Sequence, residues 1–383
     1  MKIKDLIKSD AFCGMLLCTF AVIAFIIANS PLYWIHDEFF NHKLATIANQ
    51  DINLHFIVNE VLMSLFFLQV GKEIKYEMLF GTLSTLKHAM LPVIAALGGV
   101  IAPATIYLLL NDHSKLMHGW AIPTATDIAF VVGVFSIIGK NFPHSIRIVL
   151  LSIAVIDDII AILIITIFYS QTPSIYALLL SFGTSFALWL YLKYYGNNKI
   201  FFILGFAAIW LSLFSSGIHP TLSGVIVGFL LPQKKQNKNP LLELSVNFII
   251  MPAFTLANAA IKLGAIDFHN HTNIKLIVSI ILALFIGKPL GIFVASFIST
   301  KTKLCHLPSQ ANYKHMLLIG LLAGIGFTMA LFTILLSFKH SETIDTAKIG
   351  VTVGSIISAI IGLSYGFLLT KTQKMKPKSK KIT

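Results

Sequence analysis

Apolar residues in this chain fall in long runs, not in the short alternating or one-faced patterns of water-soluble elements. Runs of spanning or near-spanning length lie at about 12–29, 54–71, 89–110, 119–139, 148–169, 175–195, 200–217, 221–232, 244–262, 275–299, 316–337 and 347–370. A bilayer core is about 30 Å thick and an α-helix rises about 1.5 Å per residue, so roughly 20 apolar residues make one crossing. The pattern predicts an all-α polytopic membrane protein with about 12 transmembrane helices. The run at 221–232 is short and follows Pro220, which predicts a short tilted helix or a re-entrant piece. Ala28-Asn29-Ser30 loosely resembles a signal-peptide cleavage site, but the run before it is long for a signal peptide's apolar region, so 12–29 reads as a retained helix.

Composition narrows this further. With 56% hydrophobic and 12% charged residues, 383 residues cannot be folded around one water-soluble core. The expectation is a single membrane domain over 1–383, membrane-embedded from 12 to 370, with a basic tail at 371–383. The net charge of +13 is distributed topologically. If the N-terminus is cytoplasmic, most basic residues fall inside, among them Lys2, Lys4, Lys8, Lys72, Lys75, Arg147, Lys234, Lys235, Lys238, Lys301 and the tail lysines. Only Lys43, Lys115, Lys262, Lys275, Lys339 and Lys348 fall outside. That asymmetry obeys the positive-inside rule and places both termini in the cytoplasm, as an even helix count requires. Scattered over short loops, these charges do not make a nucleic-acid surface; the tail suits membrane lipids instead. Cys13, Cys18 and Cys305 give no disulfide or metal framework, and the 13 histidines show no ligand spacing such as HExxH. The longest connection, Pro31 to Asn53, carries Tyr33, Trp34 and several acids, which suits an interfacial or oligomeric element.

Candidate chemistry lies inside the runs. Asp157 and Asp158 sit in the middle of IVLLSIAVIDDIIAILIITIFY, residues 148–169. Neither flanking half is long enough to cross alone, so both acids lie near the membrane midplane, where an ionisable residue is unfavourable by about 2.5 to 3.5 kcal/mol on insertion scales. Such residues are kept for function. In the fourth run Pro123, Thr124, Thr126 and Asp127 interrupt the apolar pattern, and proline removes a backbone donor, so carbonyls should open beside Asp127. In the eleventh, Gly324, Gly326 and Thr328 lie at comparable depth. Paired interruptions in the two halves of a chain point to a transport site. Lys288 is the basic residue left within a run, and needs an acidic partner or neutrality. Successive residues on a helix point about 100° apart, so one of Asp157 and Asp158 can face Lys288 while the other joins Asp127. The Gly287-Lys288 pair is no phosphate loop, because Leu282 stands where the first glycine is needed and Pro289 follows the lysine.

The strings PTATDIAF, AVIDDI, GIHPTLSGVIVGF, LANA, IGKPLGI and GIGFTM, in this order, resemble the NhaA family of Na+/H+ antiporters from about residue 12 to residue 370. That family is a known case of inverted-repeat transporters, so the resemblance implies two inverted units, helices 3 to 5 and 10 to 12, with helices 4 and 11 discontinuous. By position, Asp158 resembles the family's principal ion-binding carboxylate and Asp157 its adjacent proton-linked acid. Thr126 and Asp127 match the broken fourth helix, and Lys288 the lysine that pairs with the acid at 157. Asp127 and Lys288 are also expected to offset exposed half-helix ends, the acid at N-termini and the lysine at C-termini. Glu73 and Glu77 look like funnel-entrance and pH-sensing acids, and His219 like a pH-response histidine. Glu243 departs from the pattern, because no histidine lies near it in NPLLELSVN.

The resemblance implies a secondary antiporter, not an enzyme, in a bacterial inner membrane, working as a homodimer without a cofactor. Cytoplasmic Na+, and Li+ with it, would exchange electrogenically for external H+ under pH regulation. Competition at Asp158 would make the exchange obligatory, with Na+ held by Asp158, Asp127, Thr126, unwound backbone and water. A membrane aspartyl protease would need a GxGD string, whereas Thr126 and Ile156 precede the acids. A passive cation channel would conduct without moving protons in return.

Overall fold

A computed structural model describes residues 10–47, 50–112, 114–170, 174–196, 198–233, 240–308 and 310–374. Lys2, Lys4, Lys8, Lys234, Lys235, Lys238 and the part of the basic tail beyond residue 374 lie outside the described residues. Among the described residues, nine helices are long and apolar enough to cross a membrane: α1 (Ala11–Ala28), α2 (Leu54–Phe80), α3 (His88–Leu110), α5 (His144–Tyr169), α6 (Ile175–Tyr194), α7 (Lys199–Ser216), α9 (Leu241–Asn258), α10 (His271–Lys301) and α12 (Ser341–Lys371). Two further spans are broken. The fourth consists of α4a (Lys115–Thr124) and α4b (Ile128–Gly139), bent by 40°, and the eleventh of α11a (Tyr313–Ala323) and α11b (Phe327–Ser337), bent by 51°. The short run after Pro220 forms α8 (Leu222–Leu230), nine residues packed along α2. The protein is an all-α polytopic membrane protein with interrupted helices.

Two sets of three spans share one pattern: α3, the broken fourth span and α5, then α10, the broken eleventh span and α12. Counting α8 as a crossing, an odd number of steps separates each member from its counterpart, so the second set runs opposite to the first. The sets meet where α3 crosses α10. A Cβ at Gly291 would run into the carbonyl oxygen of Gly98, and one at Gly287 would lie 2.7 Å from Pro103 Cα. Small residues there let two backbones approach closely, as membrane helices do where apolar burial between helices gives no drive. This contact brings Lys288 to the fourth span.

Prolines account for two local widenings. Turns Val246–Ile250 and Ala283–Gly287 are π-helical, and each precedes a proline, Pro252 and Pro289. Proline has no N–H for the carbonyl four residues back and its ring clashes with that carbonyl, and a wider turn relieves both. The connection after α1 holds a helix, Tyr33–Asn41, and an antiparallel hairpin pairing Ala45 with Ile52. Lys43 Nζ lies 2.6 Å from Asp51 Oδ1 on this hairpin and holds the Asp51 carboxyl below its usual range. Asn29 Nδ2 donates to Ile261 O at 2.8 Å, tying the connection to the far end of α9.

Candidate functional site

The fourth and eleventh spans cross at their breaks, and the polar residues of the site satisfy the loose ends. Asp127 is the N-cap of α4b: its Oδ1 accepts from Phe130 N at 3.1 Å. Its Oδ2 accepts from Thr328 N at 3.0 Å and from the Thr328 hydroxyl, in the first turn of α11b. One carboxylate therefore serves the N-termini of both half-helices, where unpaired N–H groups and the helix dipole favour negative charge. Asp127 N also donates to Ile325 O at 2.8 Å, and Phe130 packs edge-on against Phe327 with ring centroids 4.8 Å apart. A Cβ at Gly326 would lie 2.9 Å from Ala125 O, so this crossing requires glycine or a shift of backbone.

The opposite ends are treated with opposite charge. Lys288 Nζ donates to Thr124 O, a carbonyl at the end of α4a, and to the Thr126 hydroxyl. It lies 3.1 Å from Asp157 Oδ2, with both side chains fully buried. Thr126 Oγ1 donates to Asp157 Oδ2 at 2.6 Å and lies 3.1 Å from Ala323 O, at the end of α11a. Asp157, Lys288 and Thr126 thus form one closed network that ties α5 and α10 to the C-terminal ends of both first half-helices. Asp157 Oδ1 is buried without a partner.

Asp158 points elsewhere. A cavity of about 480 Å³ is lined by Asp158 and Asp127 at its depth and by Glu73, Glu77, Arg147 and Glu243 toward its mouth. The Asp158 carboxylate makes no hydrogen bond to a described residue. The adjacent acids therefore divide as the 100° step of the helix requires, Asp157 into the crossing and Asp158 into the cavity. Thr126, Asp157 and Lys288 do not line this cavity, although the sequence placed Thr126 among the oxygens around a bound ion. Its hydroxyl is committed to Asp157 and Lys288.

Glu73 and Glu77 stand one turn apart and differ in their commitments. Glu73 Oε1 accepts from Gln69 Nε2 at 2.7 Å. Glu77 Oε2 accepts from Thr82 N at 2.9 Å and from its hydroxyl at 3.1 Å, and that hydroxyl lies 2.7 Å from Ser152 Oγ on α5. Glu77 thus anchors the α2–α3 turn to α5. Glu243 is exposed at the cavity mouth. His219 lies in the α7–α8 junction, away from the cavity, at the end of α5 that carries Tyr169. Sequence reasoning missed Gln69 and Arg147 as cavity residues; Gln69, a polar residue on an apolar stretch of α2 one turn before Glu73, was the available signal.

Comparison with known proteins matches this arrangement to one family. The sequence fits the family described as Na+/H+ antiporter 1 over residues 4–365. The chain belongs to the Na+/H+ antiporter family. It is 42% identical to the Na+/H+ antiporter NhaA of Photorhabdus laumondii over 98% of this chain and 99% of that protein. It is 40% identical to NhaA of Escherichia coli strain K12 over 94% of this chain and 96% of that protein. With NhaA of Bartonella tribocorum it shares 38% identity over 98% of this chain and 94% of the relative.

Proposed function

We propose that this protein exchanges cytoplasmic Na+, and Li+ with it, for external H+ across a bacterial inner membrane, with Asp158 as the carboxylate that binds each in turn. The observation that carries the reading is the split between neighbouring acids: Asp157 is locked to Lys288 at 3.1 Å, while Asp158 lies free at the depth of the cavity. A carboxylate holding a proton cannot hold Na+ as the anion does, and a Na+-loaded one disfavours the proton. Competition at one group therefore makes the exchange obligatory. Asp158 supplies the charge and Asp127 borders the same cavity, with its own oxygens turned to the half-helix N-termini.

Asp157 and Lys288 form the second titrating element, and protons exchanged there belong to the pair rather than to either residue. A further proton released from that pair makes exchange electrogenic, more H+ than Na+ moving per cycle. The distribution of basic residues supports a cytoplasmic cavity mouth, with Glu243 and Arg147, and cytoplasmic termini. Glu73 is the acid best placed to tune Na+ access with pH. Two copies would join through the connection after α1, where Trp34, Ile35 and Phe39 of its helix and Leu44 before its hairpin are exposed.

The test is a Na+ gradient imposed on proteoliposomes containing only this protein. Antiport predicts proton movement opposite to Na+. Na+ flux that leaves the proton distribution unchanged would identify a channel and overturn the reading.

A further inference from the structure

The exchange cycle assigned above does not use Glu60. This acid lies in the half of α2 remote from the cavity mouth, within the π-helical turn Ile57–Leu62. At about 1.5 Å per residue it is about 20 Å along the axis from Glu73. Its Oε2 is buried with no hydrogen-bond partner. Its main-chain oxygen is fully engaged, accepting from Ser64 Oγ at 2.5 Å and from Trp210 Nε1 at 3.3 Å. The backbone is therefore fixed while the carboxylate is left unpaired, in a type of turn that recurs at functional sites.

The packing of α8 shows what faces this stretch. A Cβ at Gly224 would lie 2.7 Å from Leu68 N, and one at Gly228 would lie 2.8 Å from Leu68 O and 2.9 Å from Lys72 N. A Cβ at Gly224 would also run into Ser64 O. Both helices advance together, so α8 runs parallel to α2, and its start at Thr221 and Ser223 lies about one turn beyond Glu60 along α2, on the side toward the cavity. Thr221 Oγ1 and Ser223 Oγ are buried and have no hydrogen-bond partner, and Ser170 Oγ, at the end of α5 on the same face, is a third such hydroxyl. The titratable groups near this stretch are His55 on α2 itself, with His36 of the connection after α1 and Lys348 of α12 close to it, His219 before α8 and Tyr169 on α5. From α9, Asn258 donates to Asn59 Oδ1 at 2.7 Å and carries no charge.

A hydroxyl can donate to a carboxylate and accept from a carboxylic acid. Unengaged hydroxyls between this acid and the cavity therefore suit a group that passes between both states, whereas a permanent anion inside a span calls for a cation. We propose that Glu60, with the hydroxyls of Thr221 and Ser223, is a proton station on the outer side of the exchange path. It takes up a proton from the outer solution and passes it toward Asp158. Each proton taken up is handed on, so Glu60 returns to the carboxylate and no other bond changes. The inference rests on the antiport reading.

The test uses the full-length protein in oriented proteoliposomes, with Na+ and pH fixed on the cavity side and pH varied only on the opposite face. For Glu60→Gln the exchange rate should fall several-fold when that face is alkaline and protons are scarce, and should converge on wild type when it is acidic. The Na+ half-saturation on the cavity side should not move. Thr221→Val with Ser223→Ala, which keeps the acid, should shift the same profile in the same direction by less. A wild-type profile for Glu60→Gln, or an equal loss at every outer pH, would overturn the proton station while leaving antiport intact. Wild-type protein that moves no protons against Na+ would overturn the antiport reading and this inference with it.

Discussion

The crossing and the cavity are built from the same residue types and are opposites in chemistry. In the crossing, Asp127 joins two helix N-termini, and Lys288 and Thr126 join two helix C-termini, with Asp157 completing the network. In the cavity, Asp158 has no hydrogen bond to a described residue and faces a space that opens past Glu73 to Glu243. Broken helices expose backbone groups that lipid cannot satisfy, so the crossing must close every loose end before an ion arrives. A carboxylate engaged in this way is poorly available to a metal cation. The adjacent, unsatisfied acid is the one left to bind a cation.

Breaking the open side should have the largest effect on transport. Asp158→Asn keeps volume and removes the charge and the proton, so Na+-dependent proton exchange should be lost while the protein still inserts and folds. Its thermal stability in detergent should match wild type or exceed it, because no protein partner is lost; wild-type exchange by a well-inserted variant would refute the assignment.

Breaking the closed side should strike stability first. Lys288→Ala leaves Asp157 buried without its cation and frees Thr124 O, and removing one member of a buried pair is unfavourable by about 3 to 5 kcal/mol unless the acid takes up a proton. Asp157→Asn combined with Lys288→Gln should recover part of this in thermal denaturation. Unchanged stability for Lys288→Ala would remove the pair from the account. Asp127→Asn sits on the boundary between the regions, since Asp127 both caps the half-helices and borders the cavity. It should weaken apparent Na+ affinity several-fold at every pH; asparagine can still cap α4b through its oxygen but turns an amide N–H2 toward Thr328 N, so stability should fall by about 1 to 3 kcal/mol, the cost of a buried donor left unsatisfied.

The two glutamates of α2 should separate by the smallest effects. Glu73→Gln should shift the pH profile of exchange more than it lowers the maximal rate. Glu77→Gln, whose carboxylate holds Thr82 and through it Ser152, should lower thermal stability modestly and leave the pH midpoint in place. A larger pH shift from Glu77→Gln than from Glu73→Gln would reverse these roles.

Much of this division was legible in the sequence. Long apolar runs gave the spans, the paired acids marked the midplane, and Pro123 with Gly324 and Gly326 marked both breaks. The 100° step between Asp157 and Asp158 required them to face different partners, but nothing in the run says which acid meets Lys288; the family resemblance supplied that assignment and the geometry agrees with it. Thr126, with its hydroxyl oxygen, was read as an ion ligand from its match to the family's broken fourth helix. Only the packing of α3 on α10, which carries Lys288 to the fourth span, shows that this oxygen is already used. Glu77 was unreadable for a similar reason: its partners Thr82 and Ser152 lie on different elements, and a local pattern cannot distinguish an anchor from a sensor.

The central claim is that Na+ and H+ compete for one open carboxylate, and its most direct test is the apparent KM for Na+ measured across a pH series in proteoliposomes. Competition with a single proton predicts that KM falls about tenfold for each unit of rising pH below the titration of the site, then levels off, with the maximal rate nearly constant. A KM independent of pH, with pH acting only on the maximal rate, would contradict competition at Asp158.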